Sequence, residues 1–121
     1  SAEQTALAHH LRDHLLTNRE GYVSLAQLAA EHEMSVSHLQ KLFKQVYGVP
    51  VYRYIKEYRL EQAAVELVRS GKPITEIAQH AGYDNASKFS ESFKKRYGKT
   101  PSRYRADKKD AVKRSIETKT E

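Results

Sequence analysis

The ten residues Leu39-Gln-Lys-Leu-Phe-Lys-Gln-Val-Tyr-Gly48 return fifty positions later as Phe89-Ser-Glu-Ser-Phe-Lys-Lys-Arg-Tyr-Gly98. Phe43 stands against Phe93, Lys44 against Lys94, Tyr47 against Tyr97 and Gly48 against Gly98, and the register continues through Arg53 with Arg103 and Tyr54 with Tyr104. A chain of 121 residues has room for one compact domain or for two small lobes sharing a connecting element, and a repeat at this distance favours the second. Because cations recur beside the apolar anchors, the repeat also describes a surface that meets the same kind of partner twice.

The charge is placed accordingly. Residues 35–59 hold five cations against Glu57, a net of +4, and residues 87–105 hold seven against Glu91, a net of +6. The whole chain carries only +6, so everything outside those windows sums to −4. Positive charge gathered in two repeat units is the footprint of a polyanion-binding face, with a merely solvated face as the plain alternative. The chain has no cysteine, which removes disulfides, thiolate metal sites and cysteine nucleophiles together. No apolar run approaches the roughly 20 residues of a membrane span, and Ser1-Ala-Glu-Gln lacks the basic start and apolar core of a signal peptide. A soluble, cytoplasmic and nucleoid-associated protein is expected.

The apolar spacing predicts helices throughout and no sustained strand alternation, hence an all-α fold. Leu7, Leu11 and Leu15 mark a first helix over about 6–17, ended by Asn18-Arg-Glu-Gly21. Ser24-Leu-Ala-Gln27 has the capping-box pattern for a short second helix. Ser35 is a good N-cap for a third, with Leu39, Leu42, Phe43 and Val46 inward and Gly48 at its end. From Val51 to Ser70 there is no Gly or Pro, so a long fourth helix of roughly 30 Å follows. Gly71 stops it, Pro73 opens a fifth helix, Asp84-Asn85 caps a sixth that Gly98 closes, and Thr100-Pro101 starts a short last helix through Tyr104. The polar stretch 106–121 is expected to fray or to be disordered.

Two helices crossing steeply need a small residue at the contact, a turn residue that tolerates positive φ, and an apolar anchor in the second helix. Leu25, Ala29, Glu33 and Leu39 fill the roles of such a helix-turn-helix once; Ile74, Ala78, Gly82 and Phe89 fill them again, with one more residue between turn and anchor. A glutamate in a left-handed turn costs about 1 kcal/mol relative to glycine, so either the first turn is built differently or that cost is accepted. A connector of about 30 Å suits two recognition helices one turn of B-DNA apart, roughly 34 Å. Base-contact candidates are then Ser37, His38, Gln40 and Lys41 on the first recognition helix, and Ala86, Ser87, Lys88, Ser90 and Glu91 on the second. Gln suits adenine, Lys guanine, Glu cytosine N4 and Ala a thymine methyl. Phosphate candidates are Ser35, Lys44, Arg53, Asn85, Lys94, Lys95, Arg103 and Arg105, which set register without reading sequence.

With these residues in place, the chain resembles the DNA-binding domain of the AraC/XylS family of bacterial transcription regulators. The likeness runs from about Leu7 to Arg105 and is densest in Ile74-Thr-Glu-Ile-Ala78, Gly82-Tyr-Asp, Phe89-Ser-Glu-Ser-Phe-Lys94 and Tyr97-Gly-Lys-Thr-Pro-Ser-Arg-Tyr-Arg105. Tyr54-Ile55, Arg59-Leu60, Ala63 and Leu67 look like the family's linker helix. The resemblance implies seven helices in two helix-turn-helix subdomains within 1–105: a first subdomain over 6–49, a linker helix over 50–70 and a second subdomain over 71–105. It also implies binding to double-stranded promoter DNA, usually as an activator touching RNA polymerase. Glu33 stands where glycine is common and Glu91 where arginine is frequent, so no guanine contact is carried over to Glu91.

Other chemistries find little support. His10 and His14 are four apart, a metal-ligand spacing, with His9 adjacent but no third ligand in view; solvated histidines are the plainer reading, and His80 belongs to an exposed helix face. Tyr47, Tyr54, Tyr97 and Tyr104 repeat in register, as packing anchors do, and do not resemble base-stacking platforms. No nucleophile or acid–base dyad has a third partner at useful spacing, so neither an enzyme nor a cofactor is expected. The competing reading is a helical protein-interaction module with only one lobe on DNA. The chain begins at Ser1 with no sensor domain before its first helix, so dimerisation and effector response are expected in a part of a longer regulator absent here.

Overall fold

The computed structural model describes residues 2–17 and 25–120. The expected terminator Asn18–Gly21 and the cap Ser24 lie outside the described residues. Seven helices follow in order: α1 Ala2–Thr17, α2 Leu25–Glu31, α3 Val36–Tyr47, α4 Val51–Arg69, α5 Ile74–His80, α6 Ala86–Tyr97 and α7 Pro101–Thr120. The chain divides into two compact units, residues 1–57 and 58–121, with the division inside α4.

In the first unit α1 and α2 pack on α3. The core is Ala8, Leu11, Leu15, Leu28, Ala29, Leu39, Leu42, Phe43 and Val51, with Tyr47, Tyr54 and Ile55 against it. In the second unit α6 packs on α5 and α7, around Leu60, Ala63, Ala64, Leu67, Ile77, Ala78, Ala81, Phe89 and Phe93. Ala8, Leu11 and Leu15 have the same three-then-four spacing as Leu60, Ala63 and Leu67, which keeps one helix face apolar over two turns. The early turns of α4 thus belong to one core and its later turns to another.

The register of fifty is obeyed in three dimensions. Phe43 and Tyr47 rings lie 4.6 Å apart, as do Phe93 and Tyr97, and Phe43–Tyr54 and Phe93–Tyr104 are both 5.3 Å and edge-on. Edge-on and offset rings are the favoured aromatic geometry, because the positive rim of one ring meets the negative face of the next. Gly48 and Gly98 both take φ 78° and donate their N–H to the carbonyls of Lys44 and Lys94 at 2.7 Å. Each ends a helix, and the next one begins at Val51 or Pro101, both buried.

The two helix-turn-helix turns are also built alike. Glu33 sits at φ 53° and Gly82 at φ 86°. Their N–H groups reach the carbonyls of Ala30 and Gln79, and the following Met34 and Tyr83 reach back to Ala29 and Ala78 at 3.0 Å. The cost of a left-handed glutamate is therefore accepted, because this pattern satisfies the last carbonyls of α2 as it does those of α5.

One expectation is corrected. The last helix does not stop near Tyr104: α7 runs on through the polar stretch to Thr120. It has no Gly, and Pro only at its first position. Asp107 bonds Lys99 at 2.7 Å and pairs with Arg103 one turn back, while Lys108 lies over the Tyr104 ring. Local pairs of this kind hold a helix without a deep apolar face. Among the described residues beyond Arg105 none joins the core, and Val112 and Ile116 are 54% and 60% exposed.

Candidate nucleic-acid interface

The site candidates are set by how α3 and α6 begin. The Ser35 hydroxyl accepts from the His38 amide at 3.1 Å and the Asn85 side-chain oxygen accepts from the Lys88 amide at 2.9 Å. Both caps have extended backbone. The two helices therefore start in register, with Ser37 and Ser87, His38 and Lys88, Gln40 and Ser90, Lys41 and Glu91, and Lys44 and Lys94 at matching positions. The cap side chains are committed to their own helices. What Ser35 and Asn85 leave for an anion is the positive end of each helix and its opening N–H groups.

Burial of Leu39, Leu42 and Phe43 on one side of α3, and of Phe89 and Phe93 on one side of α6, turns the other side outward. Ser37, His38, Gln40 and Lys41 are exposed, as are Ser87, Lys88 and Glu91; Ala86 and Ser90 are half-buried. Each unit thus brings its own base-contact candidates onto one surface. The surfaces differ in chemistry: α3 presents an amide and two lysines, whereas α6 sets Glu91 among Lys88, Lys94 and Lys95.

The phosphate candidates separate into three kinds. Lys44, Lys94 and Lys95 are exposed at the ends of their helices. Arg53 and Arg103 are exposed too, but each holds a carboxylate one turn on, Arg53 to Glu57 at 3.2 Å and Arg103 to Asp107 at 3.3 Å. Arg105 is placed differently. Its Nε donates to the Leu67 carbonyl at 2.9 Å and an Nη to the Lys72 carbonyl at 2.7 Å, so it closes the C-terminal end of α4. Nε and this Nη are thereby committed to carbonyls at and just beyond the end of the helix, which competes with the expected phosphate contact.

The tyrosines are anchors. Burial pushes the Tyr47 and Tyr97 hydroxyls up from their ordinary values, and a guanidinium over each ring, Arg12 on Tyr47 and Arg96 on Tyr97, partly opposes it. His80 is exposed, but its Nδ1 lies 2.8 Å from a Glu66 oxygen. The structure adds a neighbour that spacing alone missed: His32 packs edge-on against His10 at 5.4 Å, with His14 at 6.5 Å on α1. Among the described residues no group of three His, Cys, Asp or Glu is placed to hold a metal ion, and no helix is long and apolar enough to cross a membrane.

Comparison with known proteins gives a consistent picture. Residues 28–107 match a helix-turn-helix domain family. The right origin-binding protein of Escherichia coli K12 is 38% identical over 99 residues, which are 78% of this chain and 34% of that protein. The HTH-type transcriptional activator RhaR of Mannheimia succiniciproducens is 32% identical over 82 residues, 68% of this chain and 30% of that one. A Chromobacterium violaceum transcriptional regulator described as an AraC-type DNA-binding domain protein superposes with a TM-score of 0.73 at 27% identity, covering 88% of this chain and 93% of that structure. The chain spans about a third of the length of the curated relatives it matches.

Proposed function

Since the chain belongs to the helix-turn-helix family of AraC-type DNA-binding domains found in bacterial transcription regulators, we propose that it binds specific promoter sequences with both units, laying α3 and α6 in consecutive major grooves. The observation that carries this reading is the matched opening of the two helices, with the same capping bond, the same register and outward residues of base-reading type in each. α4, with 19 residues, is about 28 Å long at ~1.5 Å per residue, a length comparable with the roughly 34 Å of one DNA turn. Gln40 and Lys41 suit adenine and guanine edges, while Ser90 and Glu91 suit other bases, so the site is asymmetric. Ser37, His38, Ala86, Ser87 and Lys88 complete the reading set. Lys44, Arg53, Lys94, Lys95 and Arg103, with the helix ends capped by Ser35 and Asn85, hold phosphates.

An activating role with RNA polymerase as protein partner, and dimerisation or effector domains elsewhere in a longer chain, belong to the same proposal. The name of the activator relative supports the first. Selection from a random double-stranded pool followed by footprinting tests the core of it. An asymmetric site protected over two consecutive major grooves is the expected result. Protection of one groove would leave the second unit to a protein partner, and no enrichment would sink sequence-specific binding.

A further inference from the structure

The helix-turn-helix family match ends at residue 107, but α7 runs on to Thr120. Its opening turn belongs to the second unit, with Pro101 buried and Tyr104 against the core, whereas every residue from Lys108 to Glu117 is exposed. That stretch adds nothing to the core, so packing does not account for its sequence.

The charge along it is sorted by face. Lys108, Val112 and Ile116 are four apart, and Lys109 and Lys113 are four apart beside them; at about 3.6 residues per turn the five share an arc of roughly 140°. Asp107, Asp110 and Glu117 fall outside that arc, where Arg103 and Arg114 come close to balancing them. Asp107 is already held by Lys99 and Arg103. One side of α7 is therefore nearly neutral, and the other sets three lysines around two aliphatic side chains that are 54% and 60% exposed.

Candidate occupants differ in what they would do with that side. A second copy of the same face would bring lysines against lysines, which repel. A DNA backbone would draw the lysines but offer Val112 and Ile116 only phosphates, with little apolar surface to take them out of water. An acidic protein groove with an apolar floor suits both kinds of residue. The aliphatic pair leaves water, while the lysine stems lie along the floor and their ammonium groups reach the acidic rim.

We propose that this side of α7 is a docking surface for the acidic groove of a protein partner, and that the partner is RNA polymerase at the same promoter. The inference rests on the activating role proposed above and deepens it by naming where the contact is made, with α3 and α6 left to the duplex.

Transcription in vitro tests it, using the full chain, a template carrying its selected duplex, and RNA polymerase holoenzyme. Two double variants are compared, Val112→Ala with Ile116→Ala and Lys109→Gln with Lys113→Gln. Alanine and glutamine are good helix formers, so α7 should persist, which circular dichroism checks. Each pair is expected to lower activated transcription roughly fivefold or more, the effect of truncating a residue that matters at an interface. Affinity for the selected duplex should change less than about twofold, as for ordinary surface substitutions, and Lys109→Arg with Lys113→Arg should keep activation. Activation that survives either double variant overturns the proposal. So does a lysine variant that weakens duplex binding and flattens its salt slope by about 1.8, or ~0.9 per lost phosphate contact, because α7 would then hold DNA. If the unsubstituted chain binds its duplex without raising transcription, the activating reading falls and this surface with it; if it binds no duplex, the DNA reading itself falls.

Discussion

The two units share their framework and differ in what that framework carries. Phe43, Tyr47 and Tyr54 reproduce Phe93, Tyr97 and Tyr104 almost ring for ring, and Arg53–Glu57 reproduces Arg103–Asp107. Elsewhere the framework is kept while the chemistry changes: Glu33 does the work of Gly82 although it is one residue out of the register, Lys41 corresponds to Glu91, and the half-buried Ile55 stands where Arg105 clamps α4. Positions that pack allow little choice, because a well-filled interior resists changes of volume and shape. Positions that face solvent are free to diverge, so a duplicated fold can hold one ligand class in two ways.

The largest effect should show how far the shared framework extends. Phe43 and Phe93 are both 0% exposed, so Phe43→Ala and Phe93→Ala are each expected to cost about 3–5 kcal/mol. Chemical denaturation checks this, and costs differing by several kcal/mol would show that matched geometry does not mean matched energetics. Next comes the place where the units part. Arg105→Ala is expected to cost about 1.5–3 kcal/mol, the range for hydrogen bonds to a charged group. The salt slope of DNA binding should stay unchanged, since Arg105 holds carbonyls; a slope flatter by about 0.9 would return it to the phosphate contacts.

A smaller pair of changes exchanges the turns. Glu33→Gly should stabilise the first unit by about 1 kcal/mol, and Gly82→Ala should destabilise the second by about the same, because both backbones are left-handed. A Cβ on Gly82 would also approach the Arg59 guanidinium at 2.6 Å, but the end of an arginine can move aside. Thermal melts of the two variants should shift in opposite directions. The smallest effect is acid dependence at Asp107, which has Lys99 as a second partner where Glu57 has none. A hydrogen bond from Lys99, helped by the charges of Lys99 and Arg103, holds its carboxyl below the usual carboxylate range against the opposing effect of desolvation. Its contribution is therefore present above the ordinary value of about 3.9 and lost as pH falls through the lowered one. The stability difference between the unsubstituted chain and Asp107→Asn should shrink towards zero on acidification; a difference that persists would show that the pair does not stabilise α7.

Much of the fold could be read from residues that start and stop helices. Ser35, Asn85, Gly48, Gly71 and Gly98 act through their own backbone or that of near neighbours, so their meaning is local and visible in a string of letters. Two features were hidden because their partners are distant. Arg105 bonds carbonyls more than thirty residues away, and a carbonyl leaves no mark in the sequence. His32 meets His10 only through the packing of the first unit. The continuation of α7 was hidden for another reason: composition measures how much a segment can bury, and this helix is held by pairs along its own surface.

The common starting register of α4 and α7 has a consequence for growth by duplication. Leu60, Ala63, Ala64 and Leu67, on which the second unit is built, correspond to Asp110, Lys113, Arg114 and Glu117. α7 has the position of a foundation helix and a water-facing surface where that foundation would be laid. A third copy placed after it would have to bury four ionic groups to form its core, at several kcal/mol for each unpaired one. Like the polar outer face of a capping repeat in a solenoid, α7 offers charge at the four positions where α4 offers an apolar foundation.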